Sequence, residues 1–304
     1  MKSDKVPFKL NVGRMISQTR NLENDLQDTL DQKMNFLVTS IFHPNYPVNK
    51  QSNLLRNEPI AKPDKLIAQD DWANYIVVNC ARSYDFESSN PRIRKEAKFL
   101  FKQEVHYAEH VGAYSMIIPC PSASPVQYAR IVNKINEKRS VNFWVMIPFR
   151  DGTEFEDPDT VWRNYMHFKS LLNNTVDLSV CLDIGEDLPD NKIINRWMAE
   201  DIKAAVIRTK LFTSSNKDLP ILSGKHDTFV KSLFRRRVNF ILRGKANTED
   251  LSEHYNYLRT AFTKQDKYSE LEYIAFDYFD VAQIPLQPLK ENLQSHIYGY
   301  FEKE

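Results

Sequence analysis

Glycine is the scarcest informative residue: 7 of 304, about 2% against a usual share near 7%. Gly13, Gly112, Gly152, Gly185, Gly224, Gly244 and Gly299 all stand alone. Neither GxGxxG nor GxxxxGK[ST] occurs, so a backbone cradle for a dinucleotide or a nucleotide phosphate is excluded in its usual form. Cysteine is also scarce. Cys80, Cys120 and Cys181 are odd in number and far apart, with no CxxC, which points to buried thiols in a reducing compartment rather than disulfides. No apolar leader and no apolar run long enough to span a bilayer is present, so an intracellular, soluble protein is expected. Charge of one sign is absent as well. Lys+Arg 41 against Asp+Glu 40 gives a formal charge of +1, with no bulk field for nucleic acid or membrane.

What the chain does have is a rhythm. Eight short apolar runs, at 10–14, 36–42, 75–80, 114–118, 143–147, 178–183, 204–207 and 238–242, are each followed by a helix-type segment. The runs are apolar on both faces, as in Tyr75-Ile-Val-Val78 and Phe143-Trp-Val-Met-Ile147, which fits parallel strands buried on both sides. Eight β-then-α units predict a (β/α)8 TIM barrel over 1–266, with a tail at 267–304 lying outside it.

Helix starts are legible. Asn90-Pro91, Ser124-Pro125 and Asp157-Pro158 each set a capping side chain before a proline at the first helical position, and Ser223 and Asn247 are further candidate caps. Ile93, Ala97, Leu100, Phe101, Val105 and Ala108 form one apolar stripe that Gly112 closes. Val126, Ala129, Val132 and Ile135 form a second; Leu22, Leu26 and Leu30 mark the first helix, and Leu251, Tyr255, Leu258 and Phe262 the eighth. The block Arg235-Arg236-Arg237 falls at a helix end, where cations suit the dipole. The irregular stretch 49–71 replaces or decorates the second helix.

Barrel enzymes work at the C-terminal ends of their strands. The candidates there are His43, Asn79, Asp183 with Glu186 and Asp187, Arg208 and Arg243. Strands four and five end in Pro119 and Pro148, which offer no metal ligand. Asp183 and Glu186 read as caps of the sixth helix or as partners of Arg208, and His43 as a hydrogen-bonded structural histidine. The loop after strand seven, Lys210-Leu-Phe-Thr-Ser-Ser-Asn-Lys-Asp-Leu219, lacks glycine and so lacks a phosphate nest, though Arg208 and Arg243 remain as anion contacts. No metal site and no nucleophile motif such as GxSxG is expected.

Four strings go beyond architecture: Ile41-Phe-His-Pro44, Leu182-Asp-Ile-Gly-Glu-Asp-Leu-Pro-Asp-Asn-Lys-Ile-Ile-Asn-Arg-Trp197, Ile202-Lys-Ala-Ala-Val-Ile207 and Pro285-Leu-Gln-Pro-Leu-Lys-Glu-Asn-Leu-Gln-Ser-His-Ile-Tyr-Gly-Tyr-Phe-Glu-Lys303. They resemble the N-terminal barrel of the type II protein arginine methyltransferase family, which makes symmetric dimethylarginine. The resemblance runs from the first strand to the last residue.

The resemblance implies a non-catalytic interaction and assembly domain. In that family S-adenosylmethionine and the catalytic glutamates belong to a following domain, so this chain is expected to be part of a longer enzyme or a natural truncation. By itself it is expected neither to bind that cofactor nor to methylate arginine. The implied partners are acidic substrate-adaptor peptides, a WD40 propeller protein and a neighbouring subunit in a homo-oligomer, with no direct nucleic acid and no membrane. The implied location is cytoplasm and nucleus. The implied adaptor-peptide residues are Ser215, Asn216, Lys217 and Leu219, with Asn256 beside them; Lys217 is the one lysine of this run, next to Asp218. The loop after strand five, Arg150-Asp-Gly-Thr-Glu-Phe-Glu-Asp157, is short, and Phe149 and Phe155 border it. The reading kept beside this one is a stand-alone barrel enzyme, with or without a metal, acting on a small polar substrate.

Overall fold

Short β-branched and apolar runs become strands here because the barrel wall buries both of their faces. The computed structural model describes residues 11–16, 24, 36–40, 76–80, 84–86, 88–121, 125–138, 141–149, 157–208, 212–214, 220–222, 224–234, 236, 238–244 and 273–278. In chain order its strands are β1 (Asn11–Ile16), β2 (Phe36–Thr39), β3 (Ile76–Asn79), β4 (Ser115–Pro119), β5 (Phe143–Phe149), β6 (Leu178–Ile184), β7 (Ile202–Arg208), β8 (Phe212–Ser214), β9 (Pro220–Leu222), β10 (Asn239–Gly244) and β11 (Tyr273–Tyr278). The described helices are α1 (Pro91–His110), α2 (Pro125–Asn136), α3 (Pro158–Ser170), α4 (Asn191–Trp197) and α5 (Gly224–Phe234).

Among the described residues, nine parallel strands close a ring in the order β1, β11, β10, β7, β6, β5, β4, β3, β2. This is a TIM barrel, and each of the eight expected runs overlaps one of its strands. The ninth, β11, corrects the expectation of eight strands with everything after Lys267 outside. It lies between β1 and β10, pairing Asn11↔Tyr273 on one side and Phe240↔Ile274 on the other. The barrel therefore reaches at least Tyr278, and the boundary at 266/267 falls inside it. Tyr273-Ile-Ala-Phe-Asp-Tyr278 has the aromatic and β-branched make-up of a strand, and its place in the ring covers edges that β1 and β10 would otherwise leave unpaired. β8 and β9 form a separate antiparallel hairpin.

Alternation along each strand splits the core into two layers. Val38, Val77, Ile117, Trp144, Cys181, Ala204, Val206 and Ile241 fill the barrel, with Met146 against them. Their neighbours Leu37, Ile76, Val78, Met116, Val145, Leu182 and Ala205 belong to the outer layer beneath the helices. Burying each large aliphatic side chain contributes roughly 1.5–3 kcal/mol.

The caps act where the sequence places them. Asn90 Oδ1 accepts the Arg92 N–H at 2.9 Å, and Asp157 Oδ2 accepts the Thr160 N–H at 3.0 Å. Gly112, with φ 61°, ends α1. Its N–H reaches the Glu109 carbonyl at 3.1 Å and the Ala113 N–H reaches Ala108 at 2.8 Å, a Schellman closure that needs a left-handed residue. Ala97, Leu100, Phe101, Val105 and Ala108 are buried as predicted, but Ile93 is 43% exposed, because burial of α1 begins a turn later at Glu96. Ser124, Ser223, Asn247, the first- and eighth-helix leucines and the 49–71 stretch lie outside the described residues. Arg236 lies just past α5 and donates through Nη1 to the carbonyl of Met198, the C-cap of α4, at 2.8 Å. Its charge thus serves a neighbouring helix end. No helix among the described residues is long and apolar enough to cross a membrane.

Candidate functional site

The interior positions nearest the C-terminal mouth follow from the same alternation. One step beyond Val77, Ile117, Met146, Cys181, Val206 and Ile241 come Asn79, Pro119, Pro148, Asp183, Arg208 and Arg243. Two adjacent prolines therefore occupy one side of the mouth and charged residues the other. Pro119 and Pro148 sit within β4 and β5 and supply no side-chain donor.

On the charged side, Arg208 Nη2 donates to Asp183 Oδ2 at 3.1 Å and approaches Oδ1 at 3.5 Å. Asp183 is engaged by a guanidinium, one of the two roles the sequence allowed it. Arg243 stands in register with Arg208 on β7 and with Asp277 on β11. Directly below Asp183, Cys181 is fully buried. Desolvation pushes its thiol pKa well up, Asp183's charge adds to this, and Arg243 opposes it. Such a thiol stays protonated at neutral pH and is a poor nucleophile. None of the three cysteines forms a disulfide; Cys80 and Cys181 are buried, and Cys120 is half-buried.

Glu186 and Asp187 are exposed, and neither caps α4. That role belongs to Asp190, whose Oδ1 accepts the Ile193 N–H at 2.8 Å. The capping reading of Asp183 and Glu186 is therefore corrected. The run from Gly185 to Pro189 places the helix start further from the strand than the sequence rhythm implied. His226 of α5, which no sequence pattern singles out, is buried and its Nε2 donates to the Gly185 carbonyl at 2.9 Å. Phe149 is 1% exposed and stacks on Phe229 with ring centres 5.0 Å apart, so it is a lid on the core.

His43 and Phe155 lie outside the described residues. Among the described residues no group of three or more His, Cys, Asp or Glu is gathered as metal ligands.

The adaptor-peptide residues Ser215, Asn216, Lys217, Leu219 and Asn256 also lie outside the described residues. Their flanks are described. The run 215–219 falls between β8 and β9, whose ends pair as Ser214↔Pro220. The sequence reading missed this hairpin. Its signal is a turn-type polar run, Ser-Ser-Asn-Lys-Asp, between Leu211-Phe-Thr213 and Pro220-Ile-Leu222.

With this geometry in view, comparison with known proteins gives a consistent family. The chain is 27% identical to protein arginine N-methyltransferase 5 of Xenopus laevis over 319 residues, covering 97% of this chain and 50% of that protein. It is 26% identical to the protein of the same name from Oryza sativa subsp. japonica, covering 92% of this chain and 48% of that one. The chain spans about half the length of these curated relatives. Among solved structures, endonuclease IV from Thermus thermophilus superposes with a TM-score of 0.51 at 14% identity, covering 83% of this chain and 98% of that one, a likeness of fold alone. The PRMT5 TIM barrel domain matches residues 33–264, well over half of the chain, and the chain belongs to that family.

Proposed function

We propose that this chain is the non-catalytic interaction and assembly domain of a type II protein arginine methyltransferase. In this reading S-adenosylmethionine and methyl transfer belong to the remaining part of the parent enzyme. The barrel contributes surfaces for an acidic substrate-adaptor peptide, a WD40 propeller protein and a neighbouring subunit. The observation that carries the reading is the family match over 33–264, in a chain that spans about half the length of its methyltransferase relatives. The mouth is consistent with it: Asp183 is held by Arg208, and Pro148 stands beside Asp183 in register on β5.

For the adaptor peptide, Lys217 supplies the positive charge, Asn216 and Asn256 hydrogen bonds, Ser215 a hydroxyl and Leu219 an apolar floor. A charge-assisted hydrogen bond from Lys217 contributes about 1.5–3 kcal/mol. With Asp218 beside it, Lys217→Ala should remove most of a weak affinity. The experiment is titration of a labelled acidic adaptor peptide into the wild-type chain and into Lys217→Ala. Equal affinities reject the assignment of this run. Salt should weaken wild-type binding, since an exposed pair is screened.

A further inference from the structure

Between α1 and α2, on the outer face of the barrel, runs a groove of about 270 Å3. It is lined by Lys102, Gln103 and His106 from α1, by Lys134 and Ile135 from α2, and by Lys138 just past α2. Among the described residues no acidic side chain lines it. Lys102, Lys134 and Lys138 have no ion-pair or side-chain hydrogen-bond partner among the described residues, whereas Lys169 and Lys231 elsewhere on the surface are paired with Glu200 and Asp227. Lys134 and Lys138 stand four residues apart, a spacing at which like charges repel. Lys134 lies in the last turn of α2, where the helix dipole favours a cation. That does not account for Lys102, which sits mid-way along a 20-residue helix.

We infer that this groove binds a short acidic segment of a partner protein. Three ammonium groups around one hollow complement a run of carboxylates. The Gln103 amide offers both a donor and an acceptor to a peptide main chain, and Ile135 gives the floor an apolar patch. The same lining argues against nucleic acid. Among the described residues it holds no arginine, and its one aromatic ring there is His106, already within 3.7 Å of Glu109. The chain as a whole carries a formal charge of only +1, without the broad basic field that nucleic-acid binders show. The groove follows β3 and β4 in the chain, while the proposed adaptor run follows β7, so the two sites stand or fall separately.

The test is fluorescence anisotropy on the 304-residue chain with a labelled peptide alternating glutamate pairs and leucine. The variant combines Lys102→Glu, Lys134→Glu and Lys138→Glu. All three positions are exposed, so the fold should survive, and thermal unfolding checks this. Should the triple variant melt early, the single changes Lys102→Ala and Lys138→Ala take its place. Saturable binding, weakened roughly tenfold or more by charge reversal and unaffected by Lys217→Ala, is the expected result. No saturable binding, or an affinity unchanged by charge reversal, overturns the inference. So does loss of binding in Lys217→Ala, since the peptide then occupies the other site. Tighter binding of a labelled single-stranded RNA, lost in the triple variant, overturns it in favour of nucleic acid.

Discussion

Arg208 Nη2 lies 3.1 Å from Asp183 Oδ2 and ties β7 to its neighbour β6 at the barrel mouth. A carboxylate at the end of an interior strand row is where a barrel enzyme would place a ligand or a base. Here it is neutralised by a neighbour on the next strand, and the side chains are only 13% and 29% exposed.

Asp183→Asn should therefore destabilise the chain by about 1–3 kcal/mol, because Arg208 keeps its charge in a half-buried place. Changing both residues, Asp183→Asn with Arg208→Met, should lose less than the sum of the single changes. Urea unfolding of the four proteins forms the double-mutant cycle. Strict additivity would show that the pair contributes no coupling.

Alkaline pH should weaken the fold through Cys181. A thiol carries charge only when deprotonated, and burial with Asp183 close by raises its folded pKa despite Arg243. The unfolded chain releases this proton near pH 8.5 while the folded chain retains it. The contribution is thus whole below about pH 8.5 and is lost as pH rises beyond it, at up to ~1.4 kcal/mol per unit. Tyr165, raised by burial first and then by Glu200, adds a second loss that begins above about pH 10. Cys181→Ala should flatten the stability–pH profile between about pH 9 and 10.5. An unchanged slope would mean the thiol titrates normally in the folded chain.

Gly112→Ala should cost about 1–2 kcal/mol, since φ 61° places an L residue in the left-handed region. Asn90→Ala at the other end of α1 should cost about 1 kcal/mol by freeing the Arg92 N–H. Thermal unfolding of both variants checks the values. A neutral Gly112→Ala would show that the Schellman closure tolerates a side chain.

Much of this was readable because it is local. Asn90-Pro91, Asp157-Pro158 and Gly112 carry their own backbone preferences, and both-face apolar runs signal buried parallel strands. What the sequence hid is mutual. Glu104 sits on the buried face of α1 among Phe101, Val105 and Ala108, and is wholly buried. The hydroxyl of Tyr84 donates to its carboxylate. Nothing in the helix pattern names a partner twenty positions earlier on the segment after β3. The same holds for His226 and the Gly185 carbonyl, which a tertiary crossing brings together. The Asp183–Arg208 pair was foreseeable as one of two options, because parallel strand ends put both residues at one rim. The choice between pairing and capping depended on where α4 begins, and Asp190 settled it.

β11 gives the last prediction. Four residues of β1 and five of β10 pair with it, so a chain cut after residue 266 loses the strand that joins them. Each then presents a row of unpaired N–H and C=O groups, and two such edges on one barrel invite association. A 1–266 fragment should be aggregated or unfolded, while the full chain, with Tyr273–Tyr278 in place, should give a cooperative transition. Size-exclusion chromatography and circular dichroism separate the two. A monomeric 1–266 fragment with an unchanged melting temperature would show that eight strands close the barrel without β11. Supplying 267–304 as a separate peptide should restore a cooperative transition to the fragment, because the missing strand is bonded on both sides by main-chain pairs that a free segment can re-form.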